Sequence, residues 1–168
     1  MARGFDRLAR LCAMVVRMWA LLGGLLLVAI VLLTGTSVAL DLLYAAPIPG
    51  DFELVEMGCA VAAFSFLPYC QLQRGHINVD LFTARAPEGF KRSMSALSSA
   101  LLLLLALLLL WRMSLGAIDY YDPLFPETTA ILGVPLWIAF IPTLASLFLW
   151  ALAGLVCLIE DFAAVRSA

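Results

Sequence analysis

Residues 18–40 read MWALLGGLLLVAIVLLTGTSVAL, a run of 23 residues without a charged side chain. A helix crossing a hydrocarbon core about 30 Å thick needs about 20 apolar residues, so this stretch is long enough for one crossing. Three further charge-free runs follow at 57–73, 93–111 and 128–159, of 17, 19 and 32 residues. The last is too long for one upright helix, and its crossing is expected to begin near Leu132 and end near Leu158. The expected architecture is an all-α membrane protein with four transmembrane helices over approximately 18–40, 57–73, 93–111 and 132–158, forming one domain over residues 1–168. Composition agrees, because a chain 64% hydrophobic and 13% charged is too apolar for a water-soluble domain of 168 residues. Four crossings also leave no length for a soluble nucleotide-binding or catalytic domain.

The charges give the expected orientation. Arg3, Arg7, Arg10 and Arg17 precede or open the first run; Arg74, Arg85, Lys91 and Arg92 separate the second from the third; Arg166 closes the chain. Only Arg112 falls on the other side, so nine of ten basic residues share one face of the membrane, and the positive-inside rule puts both termini in the cytoplasm. The opposite loops hold Asp41, Asp51, Glu53, Glu56, Asp119, Asp122 and Glu127, a separation that the net charge of −2 conceals. Trp19, Tyr69 and Trp150 are expected near the inner interface, and Tyr44, Trp111, Tyr120 and Tyr121 near the outer one. The apolar run after the first arginines exceeds the about 7–15 residues of a secretory signal core, and Ser37-Val38-Ala39-Leu40 is a poor cleavage site, so this segment reads as an anchor. At about 100° per residue the four N-terminal arginines fall within an arc of about 80°, apart from Phe5, Leu8, Cys12, Val15 and Val16. The opening residues are thus expected to form an amphipathic segment on the cytoplasmic surface of the bilayer.

Side chains that carry chemistry are scarce. Cys12, Cys59, Cys70 and Cys157 contain no C-x-x-C pair, and His76 is the single histidine, which excludes paired histidine ligation of haem. No ionisable group lies at mid-membrane, where catalysis or coupled transport places one. Ser65, Ser95, Ser98, Ser99 and Ser146 have no base nearby in sequence and read as helix-packing residues. No catalytic residue, cofactor, metal site or nucleic-acid partner is expected. The competing expectation, a small membrane redox or enzyme subunit using Cys59, Cys70, His76 or a bound quinone, requires a stoichiometric cofactor.

Packing signals are richer. Ala20 and Gly24 form a small-residue pair on helix one. On helix two Glu56, Ala60, Ala63, Leu67, Cys70 and Arg74 share one face, and Gly58, Ala62 and Ser65 make a second, so this helix is expected inside the bundle with neighbours on both sides. Residues 101–110, leucine broken only by Ala106, are expected to face lipid, and Pro135 and Pro142 to distort helix four.

Two stretches are more specific. Residues 73–81 read QRGHINVDL and 129–137 read TAILGVPLW; with Glu53 and Glu56 opening helix two, they resemble the small membrane subunit (DctQ-like) of tripartite ATP-independent periplasmic (TRAP) transporters. The resemblance runs from about Arg10 to Leu158. It implies a non-catalytic scaffold in the bacterial inner membrane, a large membrane subunit as partner, a periplasmic substrate-binding protein nearby, and uptake of a small organic acid. The candidate partner-binding or structural residues are Glu53, Glu56, Ala60, Ala63, Arg74, Gly75, His76, Asp80, Pro135 and Trp137. Glu56 is expected to meet a polar group of the complex. Gly75 is expected to turn the chain out of the membrane, with Arg74 and Asp80 wet, and Trp137 to anchor the interface.

Overall fold

In lipid a backbone has no water to bond, so an apolar run must satisfy its N–H and C=O groups internally and becomes a helix. The computed structural model describes the backbone of residues 2–73, 88–121 and 127–166 and the side chains of 9–73, 93–121 and 127–162. Four helices occupy these described residues: α1 (Ala2–Tyr44), α2 (Asp51–Leu72), α3 (Glu88–Asp119) and α4 (Trp137–Arg166). Each contains a stretch long and apolar enough to cross a membrane: Ala9–Tyr44, Asp51–Leu72, Ser93–Asp119 and Trp137–Phe162. Their outer faces carry bare apolar side chains, among them Leu25, Val31, Leu104 and Phe148, a surface that only lipid or another apolar protein can cover.

The helices do not pack in chain order. α1 packs on α2, α2 on α4 and α4 on α3, with a lighter contact between α1 and α4, so the last helix is inserted between the second and third. Burial follows: 44% of the most apolar window of α4 is enclosed, against 17% in each of the other three. α2 has two neighbours, α1 and α4, but α4 is the more enclosed helix. It contributes Leu147, Trp150 and Ala151 to a core cluster completed by Ala106 of α3, with Phe64 and Leu67 of α2 packed against it. Trp150, expected at the interface, is therefore a core residue.

The leucine-rich helix has two faces. Leu97, Leu101, Leu104 and Leu108 are more than half exposed, but Ala106 is fully buried, and its small side chain lets α3 approach α4 closely. Between α1 and α2 the close approach is at Gly23: a Cβ there would lie 2.7 Å from that of Ser65, whereas one on Gly24 would meet nothing within 4 Å.

Two boundaries differ from expectation. α4 begins at Trp137 rather than near Leu132, because residues 128–135 fold back as a turn closed by an isolated bridge between Thr128 and Pro135. Pro135 thus lies outside the helix and bends nothing, leaving Pro142 as the proline inside α4. α1 is a single helix of 43 residues, about 65 Å long, so the N-terminal segment and the first span are continuous.

Candidate functional site

The end of the bundle where α2 and α4 begin gathers Asp41, Asp51, Glu53, Glu56, Asp119 and Glu127. Gly50 has φ 75°, a left-handed conformation open to glycine, and turns the chain into α2. Asp51 and Glu53 occupy the first helical turn, where unpaired N–H groups favour negative charge. The Ser37 hydroxyl, buried on α1, donates to Asp51 Oδ2 and accepts the N–H of Ile48 at 3.1 Å, tying α1 to the turn that follows it.

Glu53 reaches further. Its Oε1 accepts the backbone N–H of Ile131 at 2.7 Å and its Oε2 that of Leu132 at 3.0 Å, 78 and 79 residues along the chain. The 129–134 turn presents those groups because Thr129 and Val134 close on one another. The Thr129 N–H donates to the Val134 carbonyl at 2.9 Å, and the Val134 N–H donates to Thr129 Oγ1 at 3.0 Å. Leu132 then sits over Gly50, where a Cβ would collide with its Cγ. The acid that opens α2 and the 129–137 motif are therefore one structure, a latch between two turns at the same end. Pro135 closes this turn by its bridge to Thr128, and Trp137 starts α4 with its ring edge-on to Tyr121 at 5.7 Å.

α2 separates its two small-residue faces. Ala62, Ser65, Pro68 and Gln71 are buried against α1 and α4. Glu56, Ala60 and Ala63 are exposed and turned away from the other helices, and Glu56 has no hydrogen bond or ion pair among the described residues. Arg74, Gly75, His76 and Asp80 lie outside the described residues.

Three polar links within the spans were not expected. Trp19 Nε1 donates to Ser146 Oγ at 2.8 Å, and Ser65 Oγ lies 3.4 Å from the same atom, so α1, α2 and α4 meet at one buried hydroxyl. Trp150 Nε1 donates to Gln71 Oε1 at 3.4 Å. Asp161, 5% exposed, accepts from Ser95 at 3.1 Å and Ser99 at 2.6 Å, joining the end of α4 to the start of α3. The signal for this last link is the spacing of Ser95 and Ser99, which puts both hydroxyls on one face of a helix otherwise rich in leucine. Among the described residues no group of three or more His, Cys, Asp or Glu side chains is placed to hold a metal.

Residues 30–164 match the family described as tripartite ATP-independent periplasmic transporters, DctQ component. The chain belongs to the DctQ family. As a DctQ component it is the small, non-catalytic part of a TRAP transporter, and the redox-subunit alternative has no support. The match takes in the Glu53 latch, the exposed face of α2 and the Asp161 link, and it leaves outside the arginine-rich opening of α1. No curated protein and no solved structure matches this DctQ chain.

Proposed function

We propose that this DctQ component is the scaffold of a TRAP-type secondary transporter in the bacterial inner membrane, with both termini cytoplasmic. It pairs with the large transport subunit for uptake of a small organic acid delivered by a periplasmic binding protein. The observation that carries this reading is the Glu56, Ala60 and Ala63 face of α2, a small-residue surface that the chain's other described helices leave uncovered. Small side chains permit the close backbone approach on which helix association in lipid depends. The charge-free runs 18–40, 57–73, 93–111 and 128–159 also give the chain no ionised group at depth with which to bind an anionic solute. Glu53, Pro135 and Trp137 shape the outer end of this scaffold; Arg74, Gly75, His76 and Asp80 are assigned to the cytoplasmic turn after α2, on the sequence alone.

Reconstitution tests this. Vesicles containing only this chain are expected to show no gradient-driven uptake, and vesicles containing it with the large subunit, supplied with loaded binding protein, to show saturable uptake. Saturable uptake by this chain alone would sink the scaffold reading.

A further inference from the structure

The other ends of α1, α2 and α4 do not close on one another. They leave a cavity of about 330 Å3 whose lining includes Ala13 and Arg17 of α1, Tyr69 and Gln73 at the end of α2, and Cys157 and Glu160 of α4. Its depth in the membrane follows from the sequence. Arg17 immediately precedes the first charge-free run, Gln73 ends the second, and Glu160 immediately follows the fourth. The cavity therefore lies where apolar spans give way to charge, the level of lipid headgroups. Cys157 at its base is buried, whereas Ala13, Arg17, Gln73 and Glu160 at its rim are exposed, so it opens outward from the bundle.

Its polar groups are of both signs. Arg17 has no hydrogen bond or ion pair among the described residues, and a guanidinium fork matches a phosphate. Gln73 Nε2 donates to the Tyr69 hydroxyl at 3.2 Å, so the phenol oxygen is occupied as an acceptor while its own proton points elsewhere as a donor. Glu160 already has a partner in the structure, and a carboxylate, with about four lone-pair sites, accepts a further donor. A simple anion would be attracted by Arg17 and repelled by Glu160, and a simple cation the reverse. A short molecule carrying a phosphate and a primary ammonium suits both, and an ammonium with N–H donors suits a carboxylate better than a quaternary one without them.

We propose that this cavity seats the zwitterionic headgroup of an ethanolamine phospholipid of the inner leaflet, its phosphate against Arg17 and the Tyr69 hydroxyl and its ammonium towards Glu160. The inference stands apart from the docking role of α2, and only its assignment to the inner leaflet rests on the proposed orientation.

The test is native mass spectrometry of the full chain in mild detergent with phosphatidylethanolamine, phosphatidylglycerol or phosphatidylcholine added at equal concentration. The ethanolamine lipid is expected to be retained as a single adduct, about tenfold more tightly than the other two, the order of effect of one charge-assisted contact. Arg17→Gln is expected to weaken that adduct about tenfold, and so is Ala13→Phe, which fills the cavity from an exposed position without burying charge. Glu160→Gln is expected to abolish the preference for ethanolamine over glycerol headgroups, while Leu104→Ala, on the outward face of α3, leaves it intact. Equal retention of phosphatidylglycerol by the unaltered chain overturns the proposal, as does equal retention of the ethanolamine lipid by the Ala13→Phe and unaltered chains. Soluble phosphoethanolamine competing as well as the intact lipid would assign the cavity to a soluble ligand, and that too overturns it.

Discussion

Each oxygen of the Glu53 carboxylate accepts one backbone N–H of the turn that precedes α4, and this pairing makes a testable difference at two atoms. Glu53→Ala is expected to speed hydrogen exchange at the Ile131 and Leu132 amides, with Glu53→Gln intermediate because it keeps one good acceptor. The Thr129 amide, which bonds Val134 instead, is the internal reference; unchanged exchange at Ile131 and Leu132 in Glu53→Ala would show that something else holds the turn. Gly50 carries the other half of the latch. Gly50→Ala forces a side chain into a left-handed conformation at roughly 1–2 kcal/mol and into Leu132 at about 1–3 kcal/mol more. Adding Leu132→Ala is expected to relieve the collision but not the backbone strain, so the thermal midpoint of the double variant in detergent should recover only in part. Full recovery would mean that the φ of Gly50 costs nothing. Glu53 was legible in the sequence as part of a recurring motif, but its partner was not, because helical periodicity reports which face a residue shares and not which distant turn returns to it. Asp161 was missed for a related reason. It follows the last charge-free run, where an acid reads as wet, and only the packing of α3 on α4 buries it under two serines.

At the scale of the helix, α2 separates internal from external packing within one turn. Ala62 is fully buried, so Ala62→Leu is expected to destabilise the isolated chain by about 1–3 kcal/mol through overpacking. Ala60→Leu and Ala63→Leu, on the exposed face, are expected to leave its thermal midpoint unchanged but to lower recovery of the large subunit about ten- to hundredfold. Leu104→Phe on α3 serves as the control. If the Ala60 and Ala63 variants keep the large subunit while Leu104→Phe loses it, the docking surface belongs to α3. The existence of the spans was readable from run lengths, since a single apolar run of about 20 residues satisfies its own backbone in lipid only as a helix. The identity of the central helix was not. In water an enclosed helix is marked by apolar residues all round, whereas here every span is apolar all round, and that contrast disappears. The small and hydroxyl side chains of α4, Ser146, Ala151, Ala153 and Gly154, are the residues that let it be enclosed, and leucine-free spacing is a weaker signal than hydrophobicity.

For the molecule as a whole, antiparallel packing brings Asp41, Asp51, Glu53, Glu56, Asp119 and Glu127 to one end, with Arg112 nearby, and Arg10 and Arg17 to the other. With the acidic end periplasmic, a cysteine placed at Phe52 or Glu127 in a chain lacking its native cysteines is expected to react with a membrane-impermeant reagent in intact cells. One placed at Gln73 is expected to react only after permeabilisation. Labelling of Gln73 in intact cells would invert the topology. The packing order also bears on how the protein is made. Helices leave the ribosome from the N-terminus, so α1 and α2, which are direct neighbours, can form a hairpin as soon as both are in the bilayer. α3 arrives next and finds no substantial partner, because the helix it packs against is the one still to be synthesised. Until α4 slides between its two predecessors, the Ala106 notch and the Ser95 and Ser99 hydroxyls stand open to lipid. A translation pause or truncation before Trp137 would therefore leave an intact hairpin beside a stranded helix, and a membrane protease could tell this unfinished chain from the finished one by that helix alone.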